Sequence, residues 1–184
     1  MTTQLHPTYD VNQDPEQFFL CEVRLGGYDY FLVWHTAESN SLLRDQHGHL
    51  LVETHEQRLR KSAESQSIRI EPDSPAQYDF DKTERWCANP DDTSVDCNAI
   101  LEHWNFLEDL AAWPSEQQSA YQTASKNATG VYSKLFFGSN LPAVTPVGEE
   151  YVPNWTEAEL DELRGVLAAG IELLKTQIEL ATNK

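Results

Sequence analysis

The sequence of 184 residues predicts one α+β domain, residues 1–184, in which an N-terminal antiparallel β-sheet packs against helices that end in one long helix. Residues 17–71 hold short alternating apolar runs separated by glycine turns, a pattern typical of strands. Residues 94–182 hold apolar positions at three- and four-residue spacing, a pattern typical of helices. With 40% hydrophobic and 10% aromatic residues, the chain is too apolar for a disordered acidic protein, so we expect it to fold.

A hairpin of Gln17–Leu25 and Tyr28–His35 around Gly26-Gly27 is the clearest local prediction. Two glycines supply the positive φ angles that a two-residue hairpin turn requires. Pairing Leu25 with Tyr28 places apolar side chains opposite each other on one face, in the pairs Val23–Tyr30, Cys21–Leu32 and Phe19–Trp34. The other face then receives the oppositely charged pair Arg24–Asp29, so the register is consistent on both faces.

The remaining strands of the predicted sheet are shorter. Ser41–Arg44 and His49–Glu53 form a second hairpin around the turn of residues 45–48, which ends in glycine. Ile68 and Ile70 alternate with polar residues and predict a fifth strand. The first half of the chain therefore predicts an antiparallel sheet.

A short helix, His55–Glu64, follows the second hairpin, with Thr54 and Gln57 placed as its N-terminal cap. Beyond Pro72 the sequence turns polar and loop-like until about Ser94. From there to the end of the chain, the apolar spacing predicts helices.

The first of these helices runs to about Trp113, with Ser94 or Asp96 as its N-cap. Its core positions recur at three- and four-residue spacing: Ile100, Leu101, Trp104, Leu107 and Ala111. A second helix follows over Ser115–Phe137, with Gly130 as a candidate break.

The last and longest helix, Glu157–Ala181, begins with a capping box of Thr156 and Glu159. One apolar stripe consists of Leu160, Leu163, Leu167, Ile171, Leu174 and Ile178. A second ridge, well round the helix from the first, consists of Val166, Leu173 and Leu180. Two stripes predict a helix buried on more than one side, either at the centre of the domain or against a second copy of the chain.

The charge of the chain is strongly negative and segregated. The sequence holds 30 acids and 13 lysines and arginines, a net charge of -17. Two windows contain no lysine or arginine: residues 86–125 hold seven acids and residues 135–163 hold six. Such a chain repels phosphates, so we expect it to bind neither nucleic acid nor an anionic membrane.

The compartment is predicted from three further observations. The first 17 residues lack the basic start and apolar run of a signal peptide, and no apolar stretch reaches a membrane-spanning length. The three cysteines are odd in number and lack metal-type spacing, which suits a reducing compartment. We therefore expect a cytoplasmic protein.

The sharpest candidate for a binding surface lies on the predicted helix that ends near Trp113. Glu102, Phe106, Asp109 and Trp113 follow each other at spacings of four, three and four, so they form a second stripe away from the Trp104 line. The functional interpretation is a strip whose aromatics anchor a partner and whose carboxylates pair with its lysines or arginines. The structural alternative is that Phe106 and Trp113 pack against neighbouring elements while the acids lie at the rim.

Further candidate partner-binding residues come from the two base-free windows. They are the loop acids Asp91 and Asp92 and the cluster of Glu149, Glu150 and Tyr151. An acidic surface with exposed aromatics is typical of a face that binds a basic protein.

Catalytic and metal sites have weaker signals. His47, His49 and His55 are candidate metal ligands, but their spacing is more typical of exposed turn histidines than of a compact site. The chain contains no nucleophile elbow and no phosphate-binding loop, and Cys97 and His103 are six residues apart on one helix. We therefore predict a protein that is not an enzyme and that needs no cofactor or metal.

The segment Cys97–Ala112 reads CNAILEHWNFLEDLAA. Together with an aromatic, sheet-forming N-terminal half, this acidic helix resembles small immunity proteins of bacterial contact-dependent growth-inhibition and polymorphic toxin systems. The resemblance implies a cytoplasmic protein that binds a cognate toxin, often a basic nuclease, and blocks its active site or substrate surface. It supplies no catalytic residues.

The leading hypothesis from the sequence is therefore an acidic immunity or inhibitor protein, monomeric or homodimeric, whose partner is a cognate basic toxin domain. A second hypothesis is an oligomeric scaffold or adaptor that assembles through the two-striped last helix. A third is a metal-dependent hydrolase built around His47, His49 and His55.

Overall fold

A sheet in the first half of the chain is followed by helices that end in one long helix, so the α+β fold class is confirmed. The structure is a computed structural model that describes residues 16–89, 93–114 and 118–183. The strands are β1 (Gln17–Leu25), β2 (Tyr28–Thr36), β3 (Ser41–Leu42), β4 (Val52–Glu53) and β5 (Ala76–Asp79). The helices are α1 (Glu56–Ser65), α2 (Phe80–Ala88), α3 (Cys97–Ala111), α4 (Ser119–Asn127), α5 (Thr129–Gly138) and α6 (Glu157–Thr182).

The hairpin of β1 and β2 has the predicted register, with Leu25 opposite Tyr28. Gly26 and Gly27 form its turn at φ angles of 62° and 79°, a backbone conformation that glycine adopts without steric cost. Both glycine N–H groups donate to the Asp81 carboxylate of α2, at 2.6 and 2.9 Å. The turn therefore also fixes the position of α2.

The sheet is mixed, which corrects the prediction of an antiparallel one. β5 lies parallel to β1 at one edge of the sheet, and Tyr78 is its only half-buried apolar side chain. Ile68 and Ile70 do not form the expected fifth strand, because the backbone there makes one bond to β1, from the Glu71 N–H to the Phe18 carbonyl, at 2.7 Å. A single bond is not a strand ladder.

The predicted second hairpin forms in part. β3 and β4 both pair with β2, and the chain between them closes at the isolated bridge of Arg44 and Leu50. The Asp45 carboxylate stabilises the turn by accepting the backbone N–H groups of His47 at 2.8 Å and His49 at 3.1 Å.

Both faces of the sheet are covered. On one face, Leu59 of α1 packs with Leu20 and Val33 in a small cluster. On the other face, the main core joins the sheet to α3 and α6. Because α3 packs on the sheet through Phe106 and on α6 through Leu107, most of the circumference of this helix is buried.

Several helix boundaries differ from the expected ones. α1 begins after His55, which makes no side-chain cap, so the Thr54 cap is wrong. Asp96 is the N-cap of α3 and accepts the Ala99 N–H at 3.2 Å, as one of the two predicted caps. The predicted helix over 115–137 is two helices, α4 and α5, which meet at Ala128. Helix α2 was not predicted from the sequence.

The long helix α6 starts with the predicted capping box of Thr156 and Glu159. Both of its apolar stripes are buried by elements of the same chain, except that Leu180 is 46% exposed. The helix therefore holds the central position that was one of its two predicted environments. No helix in the described ranges combines the length and the apolar composition that crossing a membrane requires.

Close packing of α6 on α3 depends on Gly170. A Cβ atom at this position would lie 2.4 Å from Leu107 Cδ1 and 3.1 Å from Tyr121 Cε2, and both of these side chains are fully buried. Gly165, one helix face away, is exposed, and a Cβ there meets nothing within 4 Å.

We predict that Gly170→Ala lowers the free energy of unfolding by about 1–3 kcal/mol, because the added methyl group overpacks the core. The matched control Gly165→Ala should raise it by up to about 1 kcal/mol, since alanine favours an exposed helix position. Denaturant unfolding of the two variants measures both effects. Equal effects of the two substitutions would contradict the packing argument.

Candidate partner-binding surfaces

The predicted strip on α3 is only partly exposed, and Phe106 is the main correction. Phe106 is buried between α3 and the sheet, with its ring centroid 4.6 Å from that of Tyr78 and 5.5 Å from that of Phe80. A helix covered on two sides has a second apolar stripe for structural reasons alone. Phe106 is therefore a core residue and does not belong to an exposed strip.

Asp109 connects α3 to the sheet. Its carboxylate accepts a hydrogen bond of 2.8 Å from the indole N–H of Trp34 on β2, and the carboxylate is partly buried. Burial raises the pKa of Asp109 to about 6, with a further contribution from the neighbouring Glu108 and an opposing one from the Trp34 bond. Asp109 therefore links α3 to β2, and ionisation of its carboxyl group costs free energy in the folded state.

Trp113 is half-exposed, but its ring packs on a structural cluster. The Arg44 guanidinium lies 5.7 Å from the ring centroid, within range of a cation–π interaction. Arg44 also donates to the Leu110 carbonyl at 3.3 Å and to the Gln177 side chain at 2.8 Å. A cation at the last turn of α3 complements the helix dipole, so Trp113 covers a helix C-terminus.

Glu102, like Trp113, is exposed as the predicted strip requires. It forms no ion pair with a described residue. Glu108, also on α3, accepts the Trp104 indole N–H at 3.1 Å and the hydroxyl of Ser125 on α4. The structural alternative thus accounts for the buried Phe106 ring and for the packing of the Trp113 ring on Arg44. The Glu102 carboxylate has no ion-pair partner among the described residues.

The second predicted cluster is brought together as a surface. Glu149, Glu150 and Tyr151 are exposed and line an open groove of about 430 Å³ together with Phe137 at the end of α5 and Val144. Phe137 is 55% exposed and Val144 is 48% exposed. This groove combines apolar walls with two carboxylates. The other two predicted acids, Asp91 and Asp92, lie outside the described residues.

The three candidate metal ligands remain near the surface. The ring centroids of His47 and His49 lie 6.4 Å apart, and His55 is the N-cap of α1. Across residues 16–89, 93–114 and 118–183, no three side chains of His, Cys, Asp or Glu form a group that could hold a metal ion.

A buried polar pair escaped the sequence analysis. His103 Nδ1 and Thr83 Oγ1 share a hydrogen bond of 2.6 Å between α3 and α2, and the imidazole stacks on Phe80 at 4.5 Å. Burial lowers the pKa of His103 to about 4. The available signal was its spacing of three residues from Phe106, which places both on the sheet side of α3. A neutral, hydrogen-bonded imidazole here stabilises the junction of the two helices.

Comparisons of the chain with protein-family models, with curated proteins and with solved structures found no match.

We predict that Asp109→Asn stabilises the protein at pH 8 by roughly 1–2 kcal/mol, a value that allows for partial exposure of the group. The pKa of Asp109 is raised on folding, so its contribution to stability is present at pH 4 and is lost as the pH rises through about 6. Asparagine still accepts the Trp34 bond but carries no charge. The two proteins should therefore be nearly equal in stability at about pH 4, diverge as the pH rises to about 6, and differ by a constant amount above that pH.

Unfolding curves at several pH values measure this divergence. Glu102→Gln is the control, because it removes an exposed charge from the same helix and should change the free energy of unfolding by less than about 0.5 kcal/mol. A difference between wild type and Asp109→Asn that stays constant from pH 4 to pH 8 would show that the charge of Asp109 has no energetic cost.

Proposed function

We propose that the chain is an acidic immunity or inhibitor protein of the cytoplasm. Its partner is a cognate basic protein toxin, such as a nuclease, and it neutralises the toxin by covering the active or substrate-binding surface. The chain acts as a tight ligand and not as a catalyst. The observation that supports this proposal is a set of acids on the helical side that no cation of the described chain neutralises.

Most acids of the two base-free windows are unpaired. Of the thirteen acids, Asp91, Asp92 and Glu116 lie outside the described residues. Among the ten described, only Asp96, Glu159 and Asp161 form ion pairs. The seven without one are Glu102, Glu108, Asp109, Glu149, Glu150, Glu157 and Glu162. Five of the seven, all except Glu108 and Asp109, also lack a side-chain hydrogen bond among the described residues.

Two lysines of the helical side, Lys134 and Lys175, already have acidic partners. Lys134 contacts Glu159 at 2.7 Å, and this contact lowers the pKa of Glu159 to about 2. Lys175 contacts Glu84 at 2.5 Å and Glu172 at 2.9 Å. These cations support local structure, so they leave the other acids of the surface uncompensated.

An uncompensated acidic surface suits a partner that itself holds phosphates. A nuclease surface carries lysines and arginines for the nucleic-acid backbone, and an acidic protein complements that surface and competes with the substrate. Opposite charges also accelerate association, which favours rapid neutralisation of a toxin.

The rival hypotheses have less support. A scaffold that assembles through α6 would need one of its apolar stripes free, but both stripes are buried within the chain apart from Leu180. A metal-dependent hydrolase would need a group of ligands, and the histidines proposed for it form none among the described residues.

Co-expression tests the proposal directly. The product of the gene next to this one, produced alone in bacteria, should arrest growth, and co-expression of this chain should restore growth and yield a complex on purification. Arrest that persists with this chain present, without a complex, would show that the proposal is wrong for that partner. As a control, a catalytically inactive form of the same gene product should not arrest growth. Arrest by the inactive form would mean that the arrest does not result from toxin activity.

A second prediction follows if the acidic surface of the helical side attracts the basic partner electrostatically. Neutralising Glu102, Glu157 and Glu162 together to glutamine should slow association with the toxin by a factor of about 2–5 at low salt and leave dissociation nearly unchanged. The matched control neutralises Glu38, Glu64 and Asp73, which are exposed acids of the sheet half. An equal slowing by the control set would mean that net charge alone acts, without a directed surface.

A further inference from the structure

Exposed apolar side chains of the described chain concentrate in one segment. Six of the nine large hydrophobic side chains that are exposed lie between residues 137 and 152: Phe137, Leu141, Val144, Val147, Tyr151 and Val152. Val147 is fully exposed. A contiguous exposed apolar patch with a polar rim is typical of a protein-binding surface.

The segment is a loop with a fixed neck. The Asn140 side-chain amide donates to the Tyr151 carbonyl at 3.0 Å and accepts the Tyr151 N–H at 2.7 Å, as a neighbouring strand would. We refer to residues 140–151 as the neck-closed loop. Asn140 itself has a φ of 50°, and its amide also donates to the Gly138 carbonyl at 3.0 Å. A compact surface loop with its ends held together is frequently functional.

The base of the loop is packed against the core. Gly138 lies so close to Pro153 and Cys97 that a Cβ atom would stand 2.5 Å from Pro153 Cγ and 2.7 Å from Cys97 Sγ. The loop therefore starts and ends on a rigid support at the end of α5.

Within the loop, a tight turn places its tip. The Glu149 N–H donates to the Pro146 carbonyl at 3.0 Å, and Gly148 has the positive φ, 85°, that the third position of a type II turn requires. This turn puts Val147 at the tip and sends Glu149 and Glu150 to the rim of the groove lined by Phe137 and Val144. The apolar groove and the two carboxylates are thus presented in one fixed arrangement.

We infer that the neck-closed loop and Phe137 form the docking surface for the basic partner. The groove takes an apolar or aromatic side chain of an exposed partner segment, and Glu149 and Glu150 pair with a lysine or arginine next to it. This inference rests on the proposed function and names the chemistry of the bound segment. Neither carboxylate has an ion pair within the described residues, so both are available to a cation of the partner.

Charge decides between a foreign segment and a second copy of this chain. No lysine or arginine occurs between residues 135 and 163, and the whole chain carries a net charge of -17. Two copies that met through this acidic rim would repel each other, while a basic segment is attracted. A fixed loop also loses little conformational entropy on binding, which favours tight association.

The first test uses a defined probe that does not depend on the toxin. A short synthetic peptide with a central tryptophan between lysines is titrated into the full chain and followed by amide-resolved NMR. We expect saturable shifts in the amides of 137–151. A control peptide with serine in place of tryptophan should bind weaker by on the order of tenfold, since it lacks the anchor.

Variants of the exposed groove residues identify the site without disturbing the core. Phe137→Ala and the double variant Glu149→Gln with Glu150→Gln should each weaken peptide binding by about tenfold. Tyr28→Ala and the pair Glu38→Gln with Glu64→Gln are matched controls at exposed positions of the sheet half and should leave binding unchanged. Shifts that spread over α3 and α6 without saturation, or peptide binding that survives Phe137→Ala, would overturn the inference.

Asn140→Gly tests the fixed neck separately, because glycine keeps the positive φ and removes the three side-chain bonds. We expect faster hydrogen exchange at the Tyr151 amide and peptide binding weaker by a factor of about 3–10, although every groove residue is retained. Unchanged exchange or unchanged binding would show that the neck does not organise the surface.

Co-expression separates this inference from the proposed function. If wild type protects against the toxin, and the Phe137 and Glu149/Glu150 variants protect equally at limiting expression, the docking surface is wrong and the function stands. If the peptide binds the groove as expected but wild type neither protects nor forms a complex, the function is wrong and the docking surface stands. Sedimentation of the free chain tests the second copy: a dimer lost in Phe137→Ala would replace the basic partner by self-association.

Discussion

The position of α3 between the sheet and α6 is the constraint on which the rest of the structure depends. Phe106 fills the sheet side of this helix, and Leu107 meets the Cβ-free surface of Gly170 on the other side. A helix buried over most of its circumference leaves little of its surface for solvent, so its acids are confined to the remaining part. Two of them then take structural partners, since Asp109 accepts the Trp34 indole and Glu108 accepts Trp104 and Ser125.

Elements with a local cause were predictable from the sequence. The glycine pair fixes the first hairpin and its register, and the capping box fixes the start of α6. β5 was missed because its strand character depends on pairing with β1, a contact that no alternation within Ala76–Asp79 signals. The same limit applies to Phe106: periodicity shows that α3 has two stripes, but which stripe meets the sheet is a tertiary property.

The candidate site shows the same division between local and long-range causes. Charge and aromatic content alone led to Glu149, Glu150 and Tyr151, and the groove does bring them together. Phe137 was assigned to the end of a helix and had no role in the prediction. Phe137 lies beside the acids because the Asn140 amide pairs with the Tyr151 backbone eleven residues later. The periodicity of a helix or a strand does not predict a contact at that separation.

Separate parts of the molecule can therefore serve the two stages of association. A net charge of -17 opposes folding through self-repulsion, and this cost falls when the unpaired acids are exposed to water and salt. Glu102, Glu157 and Glu162 meet that condition, and in the proposed complex they would act at long range on the approach of the partner. In the proposed complex the groove would act only at contact, where apolar burial and desolvated ion pairs govern how long a complex lasts. A surface built in this way gains speed from its charge and persistence from Phe137 and the fixed loop.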